Sequence, residues 1–228
     1  MSHGGADRAP PPARRAMLLA AGRGERMRPL TDQTPKPLLT VRGKPLIVYH
    51  LERLACCGVR DIVINLAWLG AQIRGALGDG SAYGVSIRYS DEGSQALETG
   101  GGIFQALPWL GNEPFLVINA DVYTDVDFGA LQIASDAWAQ LLLVPNPPHH
   151  PGGDFALEHG RVLRQGAPRW TYSGIGLYRP VLFHGCQPGR FALLPLLQRA
   201  IARQRLHGQI YTGLWSDVGT VERLEALQ

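Results

Sequence analysis

Short continuous apolar runs alternate along the first two thirds of the chain with stretches of helical periodicity. The runs Met17–Ala20, Asp61–Asn65, Val85–Tyr89, Phe115–Asn119 and Gln140–Val144 each predict a buried strand. Between them, Pro45–Cys57 places Leu46, Tyr49, Leu51 and Leu54 on one helical face and stops at Gly58. Leu69–Leu77 predicts a second helix stopped by Gly78, and Gly101–Leu107 opens a third. Strands that are apolar throughout, rather than on alternate residues, belong to a parallel sheet covered on both faces. The predicted class is therefore α/β: a Rossmann-like, mostly parallel mixed sheet flanked by helices, in a single domain.

The later part of the chain is more mixed. Asp154–Leu157 and Trp170–Tyr178 predict strands. Leu193–Leu206 predicts a helix with Leu194, Leu197 and Ile201 on one face. Gln209–Trp215 predicts a last strand, leading to Ser216-Asp217-Val218-Gly219-Thr220 and a closing helix. The Pro-, His- and Gly-rich segment Pro145–Gly153 marks a change of subdomain. Residues 1–15 hold Gly, Pro and charge with little to bury, and are expected to be a disordered tail.

Composition narrows the possible roles. The chain has 228 residues, with 22 Lys and Arg against 19 Asp and Glu, a net charge of +3. That excess is too small to argue for nucleic acid or a membrane surface as partner. Three cysteines, two of them adjacent and none in a CxxC, make no disulfide framework, which points to a reducing compartment. No apolar run reaches the ~18 residues of a membrane span. Ala16–Ala21 follows two arginines as a signal peptide would, but it is short and runs into Arg23, Glu25, Arg26 and Arg28. A cytoplasmic protein without membrane or nucleic-acid partners is expected. The basic residues are almost all arginine; only Lys36 and Lys44 are lysine.

The densest chemical signal is Leu19-Ala-Ala-Gly-Arg-Gly-Glu-Arg-Met-Arg-Pro-Leu-Thr31, followed by Pro35-Lys36-Pro37. It lies directly after the first strand, where open α/β sheets bind ligands. Gly22 and Gly24 allow close approach of a ligand, and successive backbone N–H groups can cradle phosphate oxygens. Arg23, Arg26, Arg28 and Lys36 add four cations, which suit a polyphosphate. Met27 stands where GxGxxG needs its third glycine, and GxxxxGK[ST] is absent. A dinucleotide-binding oxidoreductase is thereby disfavoured. Two aspartates, Asp121 and Asp217, each follow an apolar strand. They are either turn residues or a carboxylate pair suited to a hard cation. The five tryptophans are dispersed, and nothing cationic adjoins Cys56 or Cys57 to activate a thiolate.

The full glycine-rich run resembles the sugar-nucleotidyltransferase family, whose pattern LxxGxGxRxxPLTxxxPKP it matches throughout, and the resemblance extends over essentially residues 16–228. It implies that Leu19, Ala21, Gly22, Arg23, Gly24, Glu25 and Arg26 wrap a nucleoside triphosphate. Arg26 would stabilise the departing pyrophosphate and Lys36 would hold the reacting phosphate, making these two the catalytic residues. Asp121 and Asp217 match the family's metal-binding aspartates and would hold Mg²⁺. Residues 16–150 would serve mainly the nucleotide and 151–228 mainly the sugar. Glu92–Ile103, with Gly101 among three consecutive glycines, would close over the base, and Asn119 would face the nucleotide or sugar edge. A relative's usual acidic-Lys-Pro element is missing: Gln165–Ile175 contains no lysine. Instead, Pro147-Pro-His-His-Pro-Gly-Gly-Asp154 and the strand around Ser173 and Gly174 are similar to a short bacterial group acting on N-acetylmuramate 1-phosphate with UTP in cell-wall recycling. Asp154, Ser173 and Gly174 would then meet the sugar. His149 and His150 could join Asp154 on a metal or simply be solvated. The resemblance also leaves open another hexose- or heptose-1-phosphate nucleotidyltransferase, or a non-catalytic sugar-nucleotide-binding subunit. UTP and a sugar 1-phosphate are the expected small-molecule partners, and a monomer is expected.

Overall fold

The computed structural model describes residues 13–228. The first strand, β1, spans Arg15–Leu19, two residues earlier than Met17. Ala13 packs against the core, and Arg15 Nη1 donates to Leu110 O at 3.2 Å. The expected tail therefore yields its last residues to the folded body; residues 1–12 lie outside the described residues.

After β1 come a single turn α1 (Leu30–Gln33) and a small hairpin, β2 (Thr40–Val41) with β3 (Lys44–Pro45). Then follow α2 (Leu46–Cys56), β4 (Asp61–Leu66), α3 (Gly70–Leu77), β5 (Ser86–Asp91), α4 (Glu98–Leu110) and β6 (Phe115–Asn119). The chain continues through β7 (Val122–Thr124), β8 (Ala139–Val144), β9 (Phe155–Glu158), β10 (Arg161–Leu163) and β11 (Arg169–Tyr178). It ends with α5 (Leu194–Ala202), β12 (Leu206–Ile210), β13 (Trp215–Asp217) and α6 (Val221–Glu225).

Nine strands form one sheet in the order β5-β4-β1-β6-β11-β8-β12-β10-β9. All run in one sense except β10 and β11, so the sheet is mixed and mostly parallel, as the apolar runs predict. The physical cause is visible in alternate residues. Leu18, Ile62, Ile64 and Ile118 face α2 and α3, where Leu51, Leu54 and Ile73 cover them. Met17, Val63 and Val117 face the opposite side, covered by Ile103, Ala106 and Leu110 of α4. Every position is buried, so no polar alternation appears in the sequence.

Two expectations in the C-terminal third are corrected. The helix expected over Leu193–Leu206 ends at Ala202, because Gln204 adopts φ 55° and turns the chain into β12. Leu206 is buried as the first residue of that strand. The single strand expected over Gln209–Trp215 is two. β12 lies parallel to β8, whereas β13 leaves the main sheet and pairs antiparallel with β7. The break falls at Thr212-Gly213, and this departure carries Asp217 to the site described below.

One buried polar group marks the core beside β7. His50 on α2 is buried, and neither ring nitrogen has a hydrogen-bond partner among the described residues. Burial lowers its pKa from 6.5 to about 4. Below pH 6.5 the unfolded chain takes up a proton that the fold refuses, so this contribution is complete near neutrality and lost as pH falls towards 4. The loss is on the order of a few kcal/mol. His50→Leu is expected to flatten that part of the stability profile, with the difference between denaturant midpoints at pH 7 and pH 5 smaller than in the parent chain.

Candidate active site

Three parallel strand ends align to make the floor of a cavity. Leu19 ends β1, flanked in register by Asn65 on β4 and Asn119 on β6. The glycine-rich loop leaves directly from Leu19. Asn65 Oδ1 accepts from Ala20 N at 2.8 Å, and its Nδ2 donates to Glu92 Oε1 at 2.7 Å. Glu92 Oε2 in turn accepts from Leu97 N at 2.7 Å, at the entry to α4. The start of the loop is thus tied through two side chains to the segment on the opposite lip.

Gly24 carries φ 68°, a left-handed conformation that glycine adopts without penalty. Its carbonyl accepts from Met27 N and from Thr31 Oγ1, each at 2.9 Å. Trp68 Nε1 donates to Thr31 O at 2.9 Å. Met27 is fully buried, so the residue that breaks the dinucleotide motif anchors the loop in a small core.

The cavity over these strand ends encloses about 260 Å³ and is lined by Leu19, Ala21, Gly22, Gly24, Lys36 and Asn119, among others. Asn65, Glu92, Ala96, Glu98 and Thr99 complete the wall. Asn119 and Asp121 form its far side and also line a second cavity of about 400 Å³. Arg26, His149, Tyr172, Trp215 and Asp217 line that second cavity.

The two aspartates are gathered by the β7–β13 pair. Asp217 stands opposite Val122 in register, and Val218 N donates to Asp121 O at 2.8 Å. Lys36 Nζ, largely buried, pairs with Asp121 Oδ2. Asp217 Oδ2 accepts from Arg223 Nη1 at 2.6 Å, and its Oδ1 lies 3.1 Å from His149 Nε2. Both carboxylates therefore carry cationic neighbours. Among the described residues, no set of three or more His, Cys, Asp or Glu side chains converges as a complete metal cage. The donor set is two carboxylates at one cavity wall. That suits a hard cation which brings water and phosphate oxygens as its remaining ligands.

The other expected site residues divide. Of the four cations near the loop, Lys36 lines the first cavity and Arg26 the second. Arg23 stacks on Trp68 at 4.1 Å and reaches Asp32 at 3.8 Å, while Arg28 pairs with Asp32 at 2.9 Å. Glu25 is exposed on the loop's outer turn. Gly101 does not line either cavity. Its N–H donates to Phe191 O at 3.0 Å, and a side chain there would collide with Gly189 O. Gly100 and Gly101 thus make room for the chain's own segment 189–192, and Gly102 for the Glu92 and Asn65 side chains. Gly101→Ala is expected to cost about 1–3 kcal/mol, read as a thermal midpoint several degrees lower.

Asp154 likewise is not among the lining residues of the cavities. Its Oδ2 accepts from Tyr172 N at 2.8 Å and its Oδ1 lies 3.0 Å from His150 Nε2. It orients His150, which does line the second cavity. Ser173 and Gly174 lie on that cavity's wall, within a bulge of β11. The Ser173 hydroxyl is buried and donates to Leu142 O at 2.7 Å, so its side chain serves the bulge. Gly174 has φ 78°, and a Cβ there would lie 2.6 Å from Asn119 Nδ2, so glycine lets the bulge pass beside the Asn119 carboxamide. His149 contacts Asp217, not Asp154. Asn65, Trp215 and Arg223 carry no individual signal in the sequence and Glu92 only as the start of Glu92–Ile103, although DIVIN and FLVIN both end in Asn and so mark a matched pair of strand ends.

A glycine-rich loop at a strand end, with two aspartates on the wall of the adjoining cavity, is an arrangement suited to phosphate chemistry, and comparison with known proteins gives the family. The model of the nucleotidyl transferase family matches residues 15–151, and the chain belongs to that family. It is 57% identical over 223 residues to N-acetylmuramate alpha-1-phosphate uridylyltransferase of Neisseria meningitidis, covering 94% of this chain and 96% of that protein. It is 37% identical over 221 residues to the protein of the same name in Caulobacter vibrioides, covering 90% and 91%. The fold is shared with the inositol-1-phosphate CTP transferase from T. maritima, at TM-score 0.75, 17% identity and coverage of 92% and 91%.

Proposed function

We propose that the protein transfers a uridylyl group from UTP to N-acetylmuramate 1-phosphate, releasing pyrophosphate and forming UDP-N-acetylmuramate for cell-wall recycling. The observation that carries this reading is the shared wall of the two cavities. Asn119 and Asp121 face both, so a nucleotide in one and a sugar phosphate in the other would meet beside Lys36. UTP and muramate are favoured over other bases and sugars by the 57% identity to the Neisseria protein over nearly the whole of both chains. The three free cysteines favour the cytoplasm as the site of the reaction. Among the described residues no helix is long and apolar enough to cross a membrane.

A sugar phosphate carries about −1.5 to −2 charges near neutral pH and needs no general base to attack. The difficulty is bringing two polyanions into line, which positioned cations and dipoles overcome. Lys36 holds an ammonium at the meeting point of the cavities, with Asp121 fixing its direction. The backbone of Ala21–Gly24 offers N–H groups to the triphosphate. Arg26 lines the second, sugar-side cavity, from which it would stabilise the departing pyrophosphate. Asp121 and Asp217 would hold Mg²⁺, which supplies charge neutralisation at the phosphates when bound.

The test is pyrophosphate release across five nucleoside triphosphates paired with muramate, N-acetylglucosamine, glucose, mannose and heptose 1-phosphates. UTP with the muramate substrate is expected to be fastest. A different preferred pair would reassign the substrate, and no release with any pair would mark a binding subunit.

A further inference from the structure

His149 lines the sugar-side cavity and Arg223 the larger cavity that adjoins it, and neither belongs to the phosphate loop or the aspartate pair. Arg223 lies on α6, where Thr220 Oγ1 caps the helix by accepting from Arg223 N at 3.4 Å. Its guanidinium is mostly buried, with Nη1 2.6 Å from both Asp217 Oδ2 and His149 Nε2. Gly219 makes room for it: a side chain there would collide with the Arg223 guanidinium and crowd that of Arg26. Two guanidinium groups and an imidazole thus converge where Asp217 is the neighbouring carboxylate.

Past this corner lies a further cavity of about 770 Å³ that shares Arg26, His149, Trp215 and Asp217 with the sugar-side cavity. Its wall is apolar at Val144, Pro147 and Pro148. A sugar hydroxyl needs neither a cationic rim nor an apolar wall, and the sugar's phosphate already has Lys36. The group that uses both features is a short alkyl carboxylate. N-acetylmuramate differs from N-acetylglucosamine by one such group, a lactyl ether.

We propose that Arg223 and His149 recognise the lactyl carboxylate, with Pro147 and Pro148 against its methyl, and so determine specificity for carboxylated N-acetylhexosamine phosphates. This rests on the function proposed above. A hydrogen bond to a charged group contributes enough to discriminate about 10- to 100-fold.

The experiment measures kcat/KM for N-acetylmuramate 1-phosphate and N-acetylglucosamine 1-phosphate at saturating UTP. The chains compared are the parent, His149→Ala, Arg223→Ala and Arg223→Lys. Because Arg223 also holds Asp217, the ratio between the two sugars is the readout. The ratio is expected to fall about 10- to 100-fold in Arg223→Ala, less in His149→Ala, and to recover partly in Arg223→Lys. Equal losses on both sugars would overturn the proposal, leaving these residues as supports for Asp217 alone. A raised KM for UTP with an unchanged sugar ratio would also overturn it, assigning the cations to the triphosphate. Failure of the parent chain to turn over the muramate substrate would refute the proposed function itself, before any variant is compared.

Discussion

Asp121→Ala is expected to lower kcat by about 10²- to 10³-fold or more, the scale of removing one preorganised electrostatic contact in an active site. Asp121 is the carboxylate that lines both cavities, and it neutralises the largely buried Lys36 ammonium. Its removal leaves that charge unpaired and deletes one of two proposed Mg²⁺ ligands. The fold should survive, because β7 is joined to the last strand through backbone groups, including Val218 N to Asp121 O. Asp217→Ala should act in the same direction by freeing Arg223 and His149. The measurement is pyrophosphate release against Mg²⁺ concentration, with circular dichroism to confirm folding. Near-normal Mg²⁺-dependent turnover in either variant would remove the metal assignment.

What was legible in the sequence follows from where the chain's physics is local. The strands β1, β4 and β6 were readable because they are apolar on both faces. The glycine-rich loop was readable because Gly24 needs a left-handed φ and Thr31 closes the turn seven residues later. Contacts made across the fold were not readable. Gly100–Gly102 carry no side chains where segment 189–192 and Glu92 lie against them, and the sequence around the glycines does not announce this packing. Asp154 sits in a stretch that reads as ligand-binding, yet its carboxylate is taken up by Tyr172 N and His150. Arg223 lies on a short helix with an ordinary N-cap, and only the β7–β13 pairing reveals that it faces Asp217.

The same distinction explains the split of the loop cations. Counting charges placed four of them near a phosphate, but Asp32 and Trp68 draw Arg23 and Arg28 to the outer side of the loop. These exposed pairs contribute little to stability. Their role is to hold the loop's outer surface while Lys36 points inward. Charge density in sequence therefore does not tell which cations line a cavity, and Lys36, largely buried and paired with Asp121, is the informative one.

Lys36→Ala is accordingly expected to reduce kcat by about 10²- to 10³-fold while changing the KM for UTP far less. The ammonium sits where the cavities meet, so its contribution should appear when charge redistributes between attacking and leaving phosphates. Lys36→Arg is expected to rescue only a small part. A Cβ at Gly24 would lie 3.4 Å from both Cβ and Cδ of Lys36, which shows how closely the loop packs along the lysine stem. A planar guanidinium at the end of that channel would have to displace Asp121 to fit. In a chain that uses lysine only at positions 36 and 44, retention of the compact cation here is consistent with that geometry. Steady-state kinetics with pyrophosphate detection separates the two parameters. An unchanged kcat in Lys36→Ala, or full activity in Lys36→Arg, would show that the ammonium does not act at the reacting phosphate and that Asp121 needs only a positive neighbour of any shape.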